Sequence, residues 1–119
     1  MRSQTGAGRK GSAQPKQVCP HFHSAVELIG RRWAGAILYA LTDGPLHFAE
    51  LKEAVPGMSD RLLSCRLKEL EQAGLVRREV KPGNRVRVSY ELTDKGHSLE
   101  PVIASVRDWA REWHRVQRA

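Results

Sequence analysis

The stretch HFAELKEAVPGMSDRLLSCRLKELEQAGL, from His47 to Leu75, decides how this chain is read. Two helical patterns flank Pro56-Gly57-Met58, and the second opens on Ser59. A serine ahead of a periodic apolar run caps a helix, because its hydroxyl satisfies backbone N–H groups that lack a partner inside the helix. Beyond it Leu63, Leu67 and Leu70 recur at i, i+4 and i+7, one face of a 3.6-residue period. At roughly 100° per residue, Arg61, Cys65 and Lys68 point the other way, with Ser64 on the flank. Gly74 supplies the stop. In the shorter first helix Phe48, Leu51 and Val55 form the inward face. A short helix, a glycine-containing turn and a longer helix with a basic outer face are the layout of a helix-turn-helix, with residues 59–73 as its recognition helix.

Size and charge agree with that layout. A chain of 119 residues with 40% apolar and 28% charged side chains forms one soluble globular domain. A net charge of +7 and a pI near 10.0 point to a polyanionic partner, nucleic acid ahead of an anionic membrane. No apolar run approaches the roughly 18 residues that span a bilayer, and no signal-type segment opens the chain. The cysteines, Cys19 and Cys65, are too few for a secreted disulfide scaffold, so a cytoplasmic protein is expected. A Gly-rich phosphate loop, a nucleophile elbow and paired carboxylates are all missing, which argues against an enzyme with a bound cofactor. Cys19, His21 and His23 make a C-x-H-x-H string that matches no common zinc spacing, so no metal is expected.

Around the central stretch the chain divides clearly. Residues 1–17 hold Arg2, Arg9, Lys10 and Lys16 with no acid and no apolar period, and read as a disordered basic arm. Such an arm either follows a phosphate backbone or is simply solvated. The ordered domain is then 18–119. Its first helix is expected at about Ser24 to Ile29, with Val26 and Ile29 inward and Gly30 closing it. Trp33 to Leu41 forms a second, with Trp33, Ala34, Ile37, Leu38 and Leu41 as a broad apolar stripe. Asp43-Gly44-Pro45 ends it, and Leu46-His47 makes a very short strand.

After Gly74 the period changes from helix to strand. Val76 and Val80, then Val86, Val88, Tyr90 and Leu92, alternate with polar residues across a Pro82-Gly83-Asn84 turn. Five basic residues and one acid lie between Arg77 and Arg87, so this hairpin reads as a basic wing beside the recognition helix. Arg78 shares the parity of inward Val76 and Val80, so its guanidinium is expected to pair with a carboxylate rather than with DNA. Thr93 caps a last helix running to about Gln117, kinked by Pro101. Along it Leu99, Val102, Val106, Trp109, Trp113 and Val116 are spaced 3-4-3-4-3, a coiled-coil seam. That seam serves a dimer or packs onto the chain's own first helices, and the two tryptophans favour the dimer.

These residues, in this order, resemble the HxlR-type family of bacterial winged-helix regulators, relatives of the MarR group. The match runs from Cys19 to about Trp113. Its landmarks are Cys19-Pro20, Ile29-Gly30-Arg31-Arg32-Trp33, Phe48-Ala49-Glu50-Leu51, Pro56-Gly57-Met58-Ser59, Leu67-Lys68-Glu69-Leu70-Glu71, Gly74-Leu75-Val76-Arg77-Arg78, Arg87-Val88-Ser89-Tyr90 and Leu92-Thr93 with Gly96. The chain departs from the family pattern at Arg31, His47, Lys81 and Arg85-Val86, which makes the wing more basic. The resemblance implies an α+β, mostly helical winged helix-turn-helix, a homodimeric transcription factor whose N- and C-terminal helices form the dimer.

On this reading double-stranded DNA is the partner. Base edges in the major groove are met by Ser59, Arg61, Ser64, Cys65 and Lys68, whose alternative is a solvated helix face. Phosphates are met by Arg77, Lys81, Asn84, Arg85 and Arg87 of the wing and by Arg31 and Arg32. Leu99, Val102, Val106, Trp109 and Trp113 hold the dimer. Cys19 precedes a helix N-terminus among His21, His23 and arginines, which favours a thiolate open to oxidants or small electrophiles. Some HxlR-type proteins sense thiol reagents at a cysteine in this position; a cysteine that only packs is the alternative. Repression is the default sign of regulation. An interaction module that binds protein or RNA through the same surface is the competing function.

Overall fold

Pro20 opens the first helix in this computed structural model, which describes residues 14–114. Helix α1 (Pro20–Ile29) therefore starts ahead of Ser24. Proline suits a first helical position, because its ring presets φ and its missing N–H would have had no helical partner. Cys19 is the extended N-cap residue. Residues 14–19 are exposed and without regular structure; the rest of the expected arm, residues 1–13, and Val116 lie outside the described residues.

Helix α2 (Ala34–Ala40) begins after Trp33, whose φ of 78° is the one positive value at a non-glycine residue among those described. The corner is supported from the helix-turn-helix turn. Gly57, itself at φ 101°, lies so close that an added Cβ would stand 3.3 Å from the Trp33 ring. The indole nitrogen is buried without a hydrogen-bond partner. The core stripe of α2 is as expected: Ala34, Ile37, Leu38 and the following Leu41 are all buried.

Strand β1 (Leu46–His47) leads directly into α3 (Phe48–Ala54). The His47 N–H donates to Glu50 Oε1 at 2.8 Å, and His47 Nδ1 donates to the Val88 carbonyl at 2.9 Å, so one residue starts the helix and ties it to the sheet. Helix α4 (Asp60–Gln72) is capped by Ser59, whose Oγ accepts from the Leu62 N–H at 3.1 Å. It ends in a Schellman arrangement: Gly74 takes φ 79° and the Leu75 N–H returns to the Leu70 carbonyl at 2.9 Å. Leu63, Leu67 and Leu70 are buried against Ile37, Leu38, Leu41 and Leu51 in one apolar core.

Strands β2 (Val76–Lys81) and β3 (Arg87–Leu92) make the hairpin, and the antiparallel sheet runs β1-β3-β2. Val86, expected to begin the second strand, lies in the turn and is exposed; Val80 near the tip is also open to solvent. The hairpin tip reaches beyond the core, so the valines there have nothing to pack against.

The single terminal helix expected from the sequence is two helices. Thr93 caps α5 (Asp94–His97), its Oγ1 accepting from the Gly96 N–H at 3.1 Å, and α6 (Glu100–His114) begins after a break at Ser98-Leu99. The break precedes Pro101, which sits in the first turn of α6 where it removes no helical bond. Just before the break, Gly96 lies directly against the Leu75 carbonyl. Leu99 and Ile103 consequently turn inward onto the core, which removes Leu99 from the expected seam. Val26 is exposed rather than inward, and neither α1 nor α6 contributes a fully buried residue.

Candidate nucleic-acid interface

Helix α4 carries its apolar face into the core and leaves its opposite face in solvent. Arg61, Ser64, Cys65 and Lys68 are all exposed, as is the capping Ser59. The cap uses Ser59 Oγ as an acceptor, which leaves its hydroxyl proton free to donate. Asp60, beside it, pairs with Lys52 of α3 at 2.6 Å. That pairing joins the two helices of the motif and offsets the one carboxylate at the leading end of α4.

Two arginines assigned from sequence to the phosphate backbone are engaged within the chain. Arg31 Nε lies 3.1 Å from Glu69 Oε1, and the Arg32 guanidinium sits 5.3 Å from the centre of the Trp33 ring. Arg66, which the sequence did not single out, donates from Nε to the Arg32 carbonyl at 2.9 Å. It also pairs with Glu69 at 3.2 Å. No local pattern signals the bond to Arg32, because the two residues are 34 positions apart in the chain.

The hairpin sorts its charges by parity. His47, Glu79, Lys81, Arg87, Ser89 and Glu91 line one hollow on the outer face of the sheet. Arg77 belongs to that face too, opposite Glu91 in the register and 3.3 Å from its carboxylate. The outer face thus mixes both signs. The inner face holds Val76, Arg78 and Val80, and Arg78 shares a cleft with Ser64, Leu67, Lys68 and Glu71 of α4 and Tyr90 of β3. The carboxylate partner expected for Arg78 is not found among the described residues. Asn84 and Arg85 sit at the exposed tip.

Away from this surface, Val102, Val106, Trp109 and Trp113 are 43–66% exposed along one side of α6. Val102 and Val106, with Val26, Ile29, Ala36 and Tyr39, border an apolar groove between α1, α2 and α6. Cys19 is free and exposed at the head of α1, and Cys65 is free and exposed on α4. His23 pairs with Glu27 at 3.5 Å, and no three His, Cys, Asp or Glu side chains among the described residues converge as a metal site. No helix among those residues is long and apolar enough to cross a membrane.

A capped helix with an open polar face, a tight turn before it and a hairpin beside it define a winged helix-turn-helix of the DNA-binding class. Residues 28–118 match the model of the HxlR-like helix-turn-helix family, and the chain belongs to that family. It is 44% identical over 97 residues to the HTH-type transcriptional regulator YvaP of Bacillus subtilis, covering 82% of this chain and 90% of YvaP. Over 96 residues it is 44% identical to the transcriptional regulator YodB of the same organism, covering 81% and 86%. The reduced form of YodB superposes with a TM-score of 0.74 at 43% identity, over 82% of this chain and 96% of that one. The redox regulator HypR in its reduced form superposes at 0.76 with 32% identity, over 82% and 96%. YodB structures also exist in quinone-bound and diamide-treated forms. The chain is a transcriptional regulator of this fold, mostly helical with a three-stranded antiparallel sheet.

Proposed function

We propose that the protein is a homodimeric repressor that reads a palindromic operator, with helix 59–73 in the major groove and the wing 77–87 against the flanking backbone. One observation carries this reading: the polar face of α4 (Ser59, Arg61, Ser64, Cys65, Lys68) is open to solvent beside a basic hairpin. Arg61 and Lys68 are suited to guanine O6 and N7, while Lys81, Asn84, Arg85 and Arg87 supply phosphate contacts that carry no sequence information. Arg77, Arg31 and Arg32 are held by Glu91, Glu69 and Trp33, so their contribution to DNA requires those contacts to be exchanged.

The dimer is supported by the apolar strip Val102, Val106, Trp109 and Trp113, too large a hydrophobic surface for a small monomer to leave in water. Its continuity with the groove against α1 and α2 fits an interface built from both terminal helices. Cys19, exposed at the head of α1, is the proposed target of an oxidant or small electrophile. The diamide-treated and quinone-bound forms of YodB support that chemistry, and modification beside the interface would alter half-site spacing. As a DNA-binding factor it acts in the cytoplasm.

Titration with a duplex from the promoter of its own gene, and with a scrambled duplex of the same length, at two salt concentrations tests the reading. Tighter binding to the promoter duplex with a steep salt slope supports it; equal indifference to both duplexes overturns it.

A further inference from the structure

The cleft between the recognition helix and the wing is built like an anion site. Lys68 and Ser64 face it from α4, Arg78 faces it from β2, and Tyr90 closes it from the neighbouring strand. Its volume is about 330 Å³. Two cations stand against one carboxylate, Glu71, and no ion pair among the described residues neutralises Arg78 or Lys68. The outer face of the same hairpin is different, since Arg77 there is already paired with Glu91. Register makes the distinction, because Arg78 lies opposite Tyr90 and one position away from Arg77 the side chains turn to the other face.

We propose that Arg78, with the Ser64 hydroxyl, binds a DNA phosphate where one strand passes between the recognition helix and the wing, the charge of Lys68 beside it adding to the attraction. The inference rests on the DNA-binding reading above and adds to it a residue on the inner face of the hairpin. A guanidinium held on a strand is a rigid two-pronged donor for a phosphate, and Ser64 and Tyr90 bring hydroxyls into the same cleft. The arrangement ties the helix and the wing to a single point on the backbone. It thereby sets how deep α4 enters the major groove, without reading any base.

The test uses the full chain with the promoter duplex and the scrambled duplex, titrated across a salt series. Arg78→Gln keeps most of the aliphatic stem and removes the charge; Arg78→Lys keeps the charge. Loss of one phosphate contact lowers the slope of log affinity against log salt by about 0.9. Arg78→Gln is expected to show that loss and to weaken both duplexes about equally, with Arg78→Lys restoring the slope. An unchanged slope in Arg78→Gln, with wild-type binding intact, overturns the Arg78 site and leaves the regulator reading standing. Weakening confined to the promoter duplex also overturns it, since that is the signature of base reading. If the wild type itself ignores both duplexes, both readings fall. Thermal melting of each variant separates lost contact from lost fold.

Discussion

Arg66 Nε donates to the Arg32 carbonyl at 2.9 Å, and its Nη1 lies 3.2 Å from Glu69 Oε1, the same oxygen that Arg31 reaches at 3.1 Å. The recognition helix is thereby fastened to the turn that precedes α2. Helix α1 enters the same turn from the other side, so the contacts lie between α1 and α4.

Arg66 has a largely buried side chain, so removing it strands a carbonyl and unbalances Glu69. Arg66→Ala is expected to cost roughly 1–3 kcal/mol. In a domain of this size that lowers Tm by about 4–8 °C per kcal/mol, readable in a thermal melt. An unchanged melt would show the fastening to be slack.

Arg61 stands on the open face of α4 with no hydrogen-bond or ion-pair partner for its side chain among the described residues. Arg61→Ala should leave the fold intact and reduce discrimination between promoter and scrambled duplex by about 1–3 kcal/mol. Equal titrations of wild type and variant on both duplexes would remove Arg61 from the reading set.

Trp109 and Trp113 are 58% and 66% exposed on the outer side of α6. Trp109→Glu with Trp113→Glu buries two charges in the proposed interface and should give monomers in sedimentation velocity. A dimer that survives the double change locates the interface elsewhere.

Gly96 meets the Leu75 carbonyl so closely that any Cβ must displace backbone. Gly96→Ala is expected to destabilise by about 1–3 kcal/mol through overpacking, measured as a lower denaturant midpoint with unchanged m. Gly44→Ala provides a comparison, since its surroundings are open and any loss there comes from its φ of 142° alone.

Cys19→Ser should abolish any effect of diamide or quinone on duplex binding while leaving the untreated affinity as it was. A response that persists and disappears only in Cys65→Ser would move the sensor onto the recognition helix.

What was legible in the sequence follows from how locally side-chain direction is set. Ser59, Gly74 and the Leu63, Leu67, Leu70 face are written into windows of a few residues, and the folded chain has the cap, the stop and the buried face there. Arg78 shows where that runs out. Its parity with Val76 placed it correctly on the inner face, but whether that face is covered depends on how far α4 extends alongside it. Near Val76 the helix seals the sheet; near Arg78 it leaves a cleft.

The sequence by itself determined the order of elements, the inward faces of α2, α3 and α4, and the alternation of the wing, because periodicity and capping act within one or two turns of chain. Only the tertiary structure decided that Arg31 and Arg66 converge on Glu69, that Arg77 meets Glu91, and that the last helix breaks where Gly96 lies on Leu75. Those outcomes depend on contacts between residues distant in the chain, and no local period carries the distance between two packed elements.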